Sequence, residues 1–293
     1  MKREQLAILL TCSLIFLSLA TTAKKDELKL WLLKGQSFTY LISQENSLQE
    51  SQNMQLISQK MALKINHTVV DRLPNGNYQM QASIKSFGTE FDKFGMKYRY
   101  HSDTVDVRNK LYKTLNFLTD VKLSYELSPE GVVSKLTGFK LIKDKMEQDP
   151  QLNSILRSFG NEQFLIEFFH YVPFKDVEKG SKWTKSALLP ELMDHQYEIQ
   201  YSFKEQSEKE IKLGHDASFT FSMEVPVNDT IINHITEKGT QEGFIIIDPG
   251  TRMPVSSDII QKIEISTYRN KPSANKVPPA QLTSKTKMIR VKK

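Results

Sequence analysis

Six histidines are the first place to look for chemistry in this chain: His67, His101, His170, His195, His215 and His234. Imidazole titrates near neutral pH and serves both proton transfer and metal ligation, but each task needs partners at fixed spacing. None is visible. No HExxH pair sets two imidazoles on one helical face. His101 lies near Asp103 and His195 follows Asp194, yet these are neighbours in sequence only, without a third member to form a relay. No GxSxG, GxGxxG or P-loop occurs, and the 12 glycines read as turns and caps. The carboxylates Asp26-Glu27 and Glu90 with Asp92 open the mature chain or flank strands, where solvation explains them. The expectation is a protein that is not an enzyme and holds neither cofactor nor metal.

A denser chemical signal is apolar. Phe159, Phe164, Phe168, Phe169 and Tyr171 place five aromatic rings within 13 residues, with Leu165 among them. Such rings bury roughly 150–250 Å² each and serve as plain core. On a helix that covers a sheet, they also line the kind of pocket that takes an acyl chain. These six residues are the expected contacts of any apolar ligand.

Helices must carry that stripe. Asp149-Pro150 is a helix start, with a capping carboxylate and proline in the first turn. Leu152, Ile155, Leu156 and Phe159 follow at helical spacing up to Gly160. Asn161 caps a second helix, which must end before Pro173. An earlier helix is expected through Val107, Leu111, Leu115 and Leu118, capped by Asp106.

Elsewhere the period is two. Phe38, Tyr40 and Ile42 alternate, as do Met61, Leu63 and Ile65, and Tyr78, Met80, Ala82 and Ile84. Pro74-Asn75-Gly76-Asn77 turns the second set into the third as a hairpin. Leu123, Tyr125 and Leu127 lead through Ser128-Pro129-Glu130-Gly131 into Val132–Thr137. After Trp183 come Tyr197–Phe203, Phe219–Val225, Phe244–Ile247 and Ile263–Ile265. Strand block, helical insert and strand block predict an α+β fold. The expected form is a large curved antiparallel sheet, a half-open barrel of about nine to eleven strands, with helices near 139–172 covering its concave face.

The chain has 293 residues, 39% hydrophobic and 25% charged, enough apolar surface for a folded domain and too little for several membrane spans. Residues 1–23 read as a signal peptide: Lys2 and Arg3, an apolar stretch from Leu6 to Leu19, and the exit Ala20-Thr21-Thr22-Ala23. Export to a periplasmic or extracellular space, with cleavage near Ala23, is expected. Cys12, the one cysteine, sits inside the apolar stretch, out of place for lipidation. A single domain is expected over 24–269. Its net charge is −2, because the seven basic residues of 270–293 supply the chain's positive excess. A basic face on the domain is therefore absent, which argues against nucleic-acid binding. The 270–293 segment, with Pro272, Pro278 and Pro279, reads as a disordered basic tail able to touch an anionic membrane or lipopolysaccharide surface. Asn66-His67-Thr68 and Asn228-Asp229-Thr230 fit glycosylation sequons.

Several turn and strand signatures go together: Leu33-Lys34-Gly35, Leu127-Ser128-Pro129-Glu130-Gly131-Val132 with Leu136-Thr137-Gly138, Val177-Glu178-Lys179-Gly180-Ser181-Lys182-Trp183, and Gly243–Asp248 before Gly250-Thr251. Over residues 28–269 this order resembles an uncharacterised family of exported Bacteroidota proteins. More distantly, the plan is similar to periplasmic lipoprotein carriers and related lipid-binding half-barrels. The resemblance implies an extracytoplasmic β protein with an acyl-chain cavity, and it supplies no catalytic residue. Two functions follow as expectations: a non-catalytic binder of lipid or another apolar ligand, or an envelope interaction module.

Overall fold

The structure, a computed structural model, describes residues 28–49, 56–93, 95–105, 110–156, 160–189, 195–228, 231–269 and 279–291. The expected signal peptide with Cys12, the cap Asp106, Phe159 and Asp194 lie outside them.

Alternating apolar residues produce strands β1 (Ser37–Gln49), β2 (Leu56–Arg72), β3 (Tyr78–Lys93), β4 (Met96–His101), β5 (Lys122–Leu127) and β6 (Val133–Thr137). Helix α1 (Lys110–Leu115) runs into a 3₁₀ turn (Asn116–Asp120) between β4 and β5. The insert follows as α2 (Lys140–Gln148), α3 (Pro150–Leu156) and α4 (Glu162–Phe168). Strands β7 (Lys182–Leu189), β8 (His195–Gln206), β9 (Ile211–Asn228), β10 (Ile231–Ile247), β11 (Pro254–Arg269) and β12 (Ala280–Val291) complete the chain. The two expected caps form: the Asp149 carboxylate accepts from the Leu152 N–H at 3.3 Å, and the Asn161 side chain from the Phe164 N–H at 3.1 Å.

All strand pairs are antiparallel, in one twelve-stranded sheet of order β6-β5-β3-β2-β1-β12-β11-β10-β9-β8-β7, with β4 beside the far half of β3. The expected α+β curved sheet is therefore present, one strand richer than the upper count. It is not closed: β6 and β7 are its two edges. The insert is the connection between those edges, so the chain that leaves one rim crosses the concave face to reach the other. Its packing is tight. A Cβ on Gly131, in the β5–β6 turn, would meet the Phe169 carbonyl at 2.8 Å and Val172 at 2.8 Å.

The disordered tail is corrected by β12. Residues 280–291 pair with β1 on one side and β11 on the other, in the middle of the sheet. The pattern was hidden because the inward positions between Leu282 and Met288 are Ser284 and Thr286, which read as polar filler. Two basic residues assigned to a free tail already have carboxylate partners: Lys287 with Asp258 at 3.3 Å, and Arg290 with Asp248 at 3.2 Å. Lys271, Lys276, Lys292 and Lys293 lie outside the described residues. The tether to an anionic surface rested on a free tail, and residues 280–291 do not provide one.

Residues 28–33, unassigned by sequence pattern, close one end. Leu28, Leu30 and Leu32 are buried at 1–2% exposure. The Leu30 N–H donates to the Pro129 carbonyl at 2.8 Å, the Trp31 N–H to the Thr251 carbonyl at 3.1 Å, and the Tyr78 hydroxyl to the Leu30 carbonyl at 2.9 Å. One short segment thereby ties the β5–β6 turn to the β10–β11 turn.

Candidate functional site

Antiparallel register turns the inward side chains of β2, β1, β12, β11 and β10 into rows that cross the concave face. The first row reads Leu63, Ile42, Met288, Ser257 and Ile245; the second, Met61, Gln44, Thr286, Ile259 and Gly243. The third is polar throughout: Gln59, Asn46, Ser284, Gln261 and Gln241. The fourth returns to Ile57, Leu48, Leu282, Ile263 and Gly239. At Gly239 the missing side chain makes room for the Phe219 ring, which lies over it.

Between the first two rows and α4 lies a cavity of about 280 Å³, partly open to solvent. Its floor is Ile42, Leu63, Met61, Ile259, Ile245 and Met288; β8 adds Tyr197, Ile199 and Tyr201, and α4 adds Phe164 and Phe168. Polar groups from Gln44, Gln241, Gln261 and Thr286 reach its border with the third row, beside Asn161 and Gln163. Glu167 is the one charged residue of the lining, and no lysine or arginine contributes to it among the described residues. Glu167 fastens the lid: its Oε1 accepts from the Gln163 side chain at 2.9 Å and from the Leu188 N–H on edge strand β7 at 3.0 Å.

Of the six aromatic-stripe residues, the structure brings Phe164 and Phe168 to the cavity wall. Leu165 and Phe169 at 0% exposure, and Tyr171 at 2%, belong to the core and not to the lining. Tyr171 is held there by its hydroxyl, which donates to the Arg252 carbonyl at 2.8 Å. Phe168 does double duty, since its inner side stacks on His67 with centroids 4.9 Å apart. His67 is enclosed by Tyr40, Tyr125 and Phe169 as well, with Nδ1 2.8 Å from the Tyr125 hydroxyl. Burial pushes its pKa down from 6.5 to about 3, so it is a neutral core histidine. His101 contacts Asp103 at 3.8 Å on an exposed turn, His234 contacts Glu224 at 3.2 Å, and neither reaches the cavity.

One histidine does. His215, 4% exposed on β9, lies on the cavity wall with Nε2 3.0 Å from Gln241 Oε1, while Gln241 Nε2 donates to the Tyr197 hydroxyl at 3.0 Å. A carbonyl oxygen only accepts, so the proton sits on Nε2 and Nδ1 is a bare acceptor. Burial lowers the pKa of His215 and keeps it neutral. This arrangement orients hydrogen bonds; it has no carboxylate behind the imidazole and no nucleophile before it. No group of three or more His, Cys, Asp or Glu able to hold a metal exists among the described residues.

The polar row escaped sequence reading because each member sits alone in its own strand. A parity signal was available: Ile42, Gln44, Asn46 and Leu48 share one face, and the two amides interrupt an apolar series.

Residues 75–254 match the family of unknown function DUF6263. The chain belongs to that family. The family match takes in β3 to β10 and all of the helical insert, but not β1, β2, β12 or β11 beyond Pro254, which complete the floor beneath it. No curated protein matches this DUF6263 chain in sequence. Among solved structures, it is similar to one described as lipid–protein interactions in lipovitellin, with a TM-score of 0.50 and 11% identity over 89% of this chain. The match takes in 26% of that lipovitellin chain, so this chain spans about a quarter of its length. The likeness is one of fold: a large curved antiparallel sheet.

Proposed function

We propose that this DUF6263 chain is an exported, non-catalytic protein that binds a lipid or other apolar molecule between its curved sheet and helix α4. The observation that carries the reading is the cavity of about 280 Å³ with a largely aliphatic and aromatic wall. Small-molecule pockets begin at roughly 300 Å³, so this one takes a single chain and not a bulky ligand. Across the polar row, Leu48, Leu282, Phe221 and Met223 form a second apolar stretch of the same face, all half-buried. The likeness in fold to the structure described as lipid–protein interactions in lipovitellin supports this reading. The basic-tail module has lost its main support with the placement of β12.

The test is uptake of an uncharged apolar fluorophore, N-phenylnaphthylamine, by the purified chain, together with solvent extraction of any co-purifying lipid. Ile259→Trp fills the floor and is expected to weaken uptake about tenfold, the effect of roughly 1.4 kcal/mol, with thermal unfolding little changed. No uptake and no extracted lipid would refute the reading.

A further inference from the structure

We infer that the ligand carries an uncharged, hydroxyl-bearing head, held by the polar row at the border of the cavity; this deepens the binding reading above and rests on it. Two buried atoms of the cavity lining there have no hydrogen-bond partner: Gln261 Nε2 and His215 Nδ1. The first is a donor and the second an acceptor. His215 is 4% exposed and lines the cavity, as does Gln261. Unmet polar atoms of this kind cost stability unless something bonds to them. A hydroxyl meets both demands, since it donates to His215 and accepts from Gln261.

Charge excludes the alternatives. A carboxylate or phosphate head only accepts when ionised, so it leaves His215 Nδ1 unmet. It would also enter a site with no lining cation and with Glu167 on its wall. His215 cannot supply the missing charge, because burial keeps it neutral. A cationic head would find acceptors but would leave the Gln261 donor facing a like charge.

The geometry of the rows sets the orientation. The polar row lies between the lidded apolar rows and the open apolar row of Leu48, Leu282 and Ile263. The cavity lies on the α4 side of the row, so a chain that fills it from a head at the row runs under α4.

Competition against bound N-phenylnaphthylamine at about pH 8, where fatty acids are ionised, tests this. Monooleoylglycerol, oleate and monooleyl phosphate share the chain and differ in the head. Monooleoylglycerol is expected to displace the probe at about tenfold lower concentration than either anion. Gln261→Leu should shrink that preference to about twofold, each concentration being taken relative to the probe affinity measured for the same variant, as expected for loss of one hydrogen bond. Equal displacement by all three, or stronger displacement by an anion, would overturn the head assignment while leaving apolar binding in place. Failure of the probe itself to bind would strike the parent reading instead. A preference that survives Gln261→Leu undiminished would show that the row does not hold the head.

Discussion

His67 is the residue where environment most changes chemistry. Its ring is fully buried against Tyr40, Phe168 and Phe169, and its pKa falls from 6.5 to about 3 for want of water around the charged form. The folded chain refuses a proton that the unfolded chain takes up between those values. Stability is therefore complete above pH 6.5 and is lost as pH falls below it, by about 1.4 kcal/mol per pH unit for this group. His170, lowered to about 4, and His215 add to the same slope. His67→Phe keeps the stack on Phe168 and removes one titrating site. The fall in melting temperature between about pH 7.5 and about pH 5 should be visibly smaller in the variant than in the wild type. Equal falls would mean that His67 is already solvated. Gly239 offers a second test at this scale. Any side chain there collides with the Phe219 ring, which packs against Tyr197 and Phe221 at 5.2 and 5.3 Å. Gly239→Val should cost about 1–3 kcal/mol in urea unfolding, and clearly less when it is made in a Phe219→Ala background.

At the level of elements, helix α4 is the lid, and its stability is separable from that of the sheet. Asn161 caps it and Glu167 pins it to β7. Asn161→Ala should lower stability by about 1 kcal/mol and loosen the lid, read as faster exchange of α4 amide protons with the strand amides unchanged. Uniform acceleration across the sheet would contradict an independent lid. The helix starts were legible in advance because caps are local: Asp149-Pro150 and Asn161 act within three residues of themselves. The aromatic stripe was legible as a buried face but not as a site. Which of its rings meet the cavity depends on where the sheet curves beneath them, and Leu165, Phe169 and Tyr171 turned to the core while Phe164 and Phe168 did not. The polar row was illegible for a related reason. It is assembled by cross-strand register from five strands, and no single strand shows more than one of its members.

For the whole molecule, the strand order makes the first and last strands neighbours. Chain order runs outward from β1 through β2, β3 and β5 to the edge β6, and from the other edge β7 inward through β8 to β11 and then β12. The two arms meet along the β1–β12 ladder, at the N-terminal segment that joins both turns, and through the insert across the concave face. Of these, β12 is the longest continuous seam, with eleven residue pairs to β1 and ten to β11. It should therefore decide whether the arms unfold together. Thr286 sits mid-seam, opposite Gln44 and Ile259, where proline removes a ladder hydrogen bond and cannot fit a central strand. Trp183 on β7 reports the second arm, stacked on Tyr201 at 5.9 Å, while circular dichroism reports the whole sheet. In a chain with Trp31→Phe, both signals should give one coincident urea transition. Adding Thr286→Pro should separate them, with the Trp183 signal and the dichroism crossing their midpoints at different urea concentrations. Coincident but weaker transitions would mean that the insert and the N-terminal segment hold the arms together without the seam. The cavity floor takes rows from both arms, so loss of coincidence should be accompanied by loss of N-phenylnaphthylamine uptake at urea concentrations where the second arm is still folded.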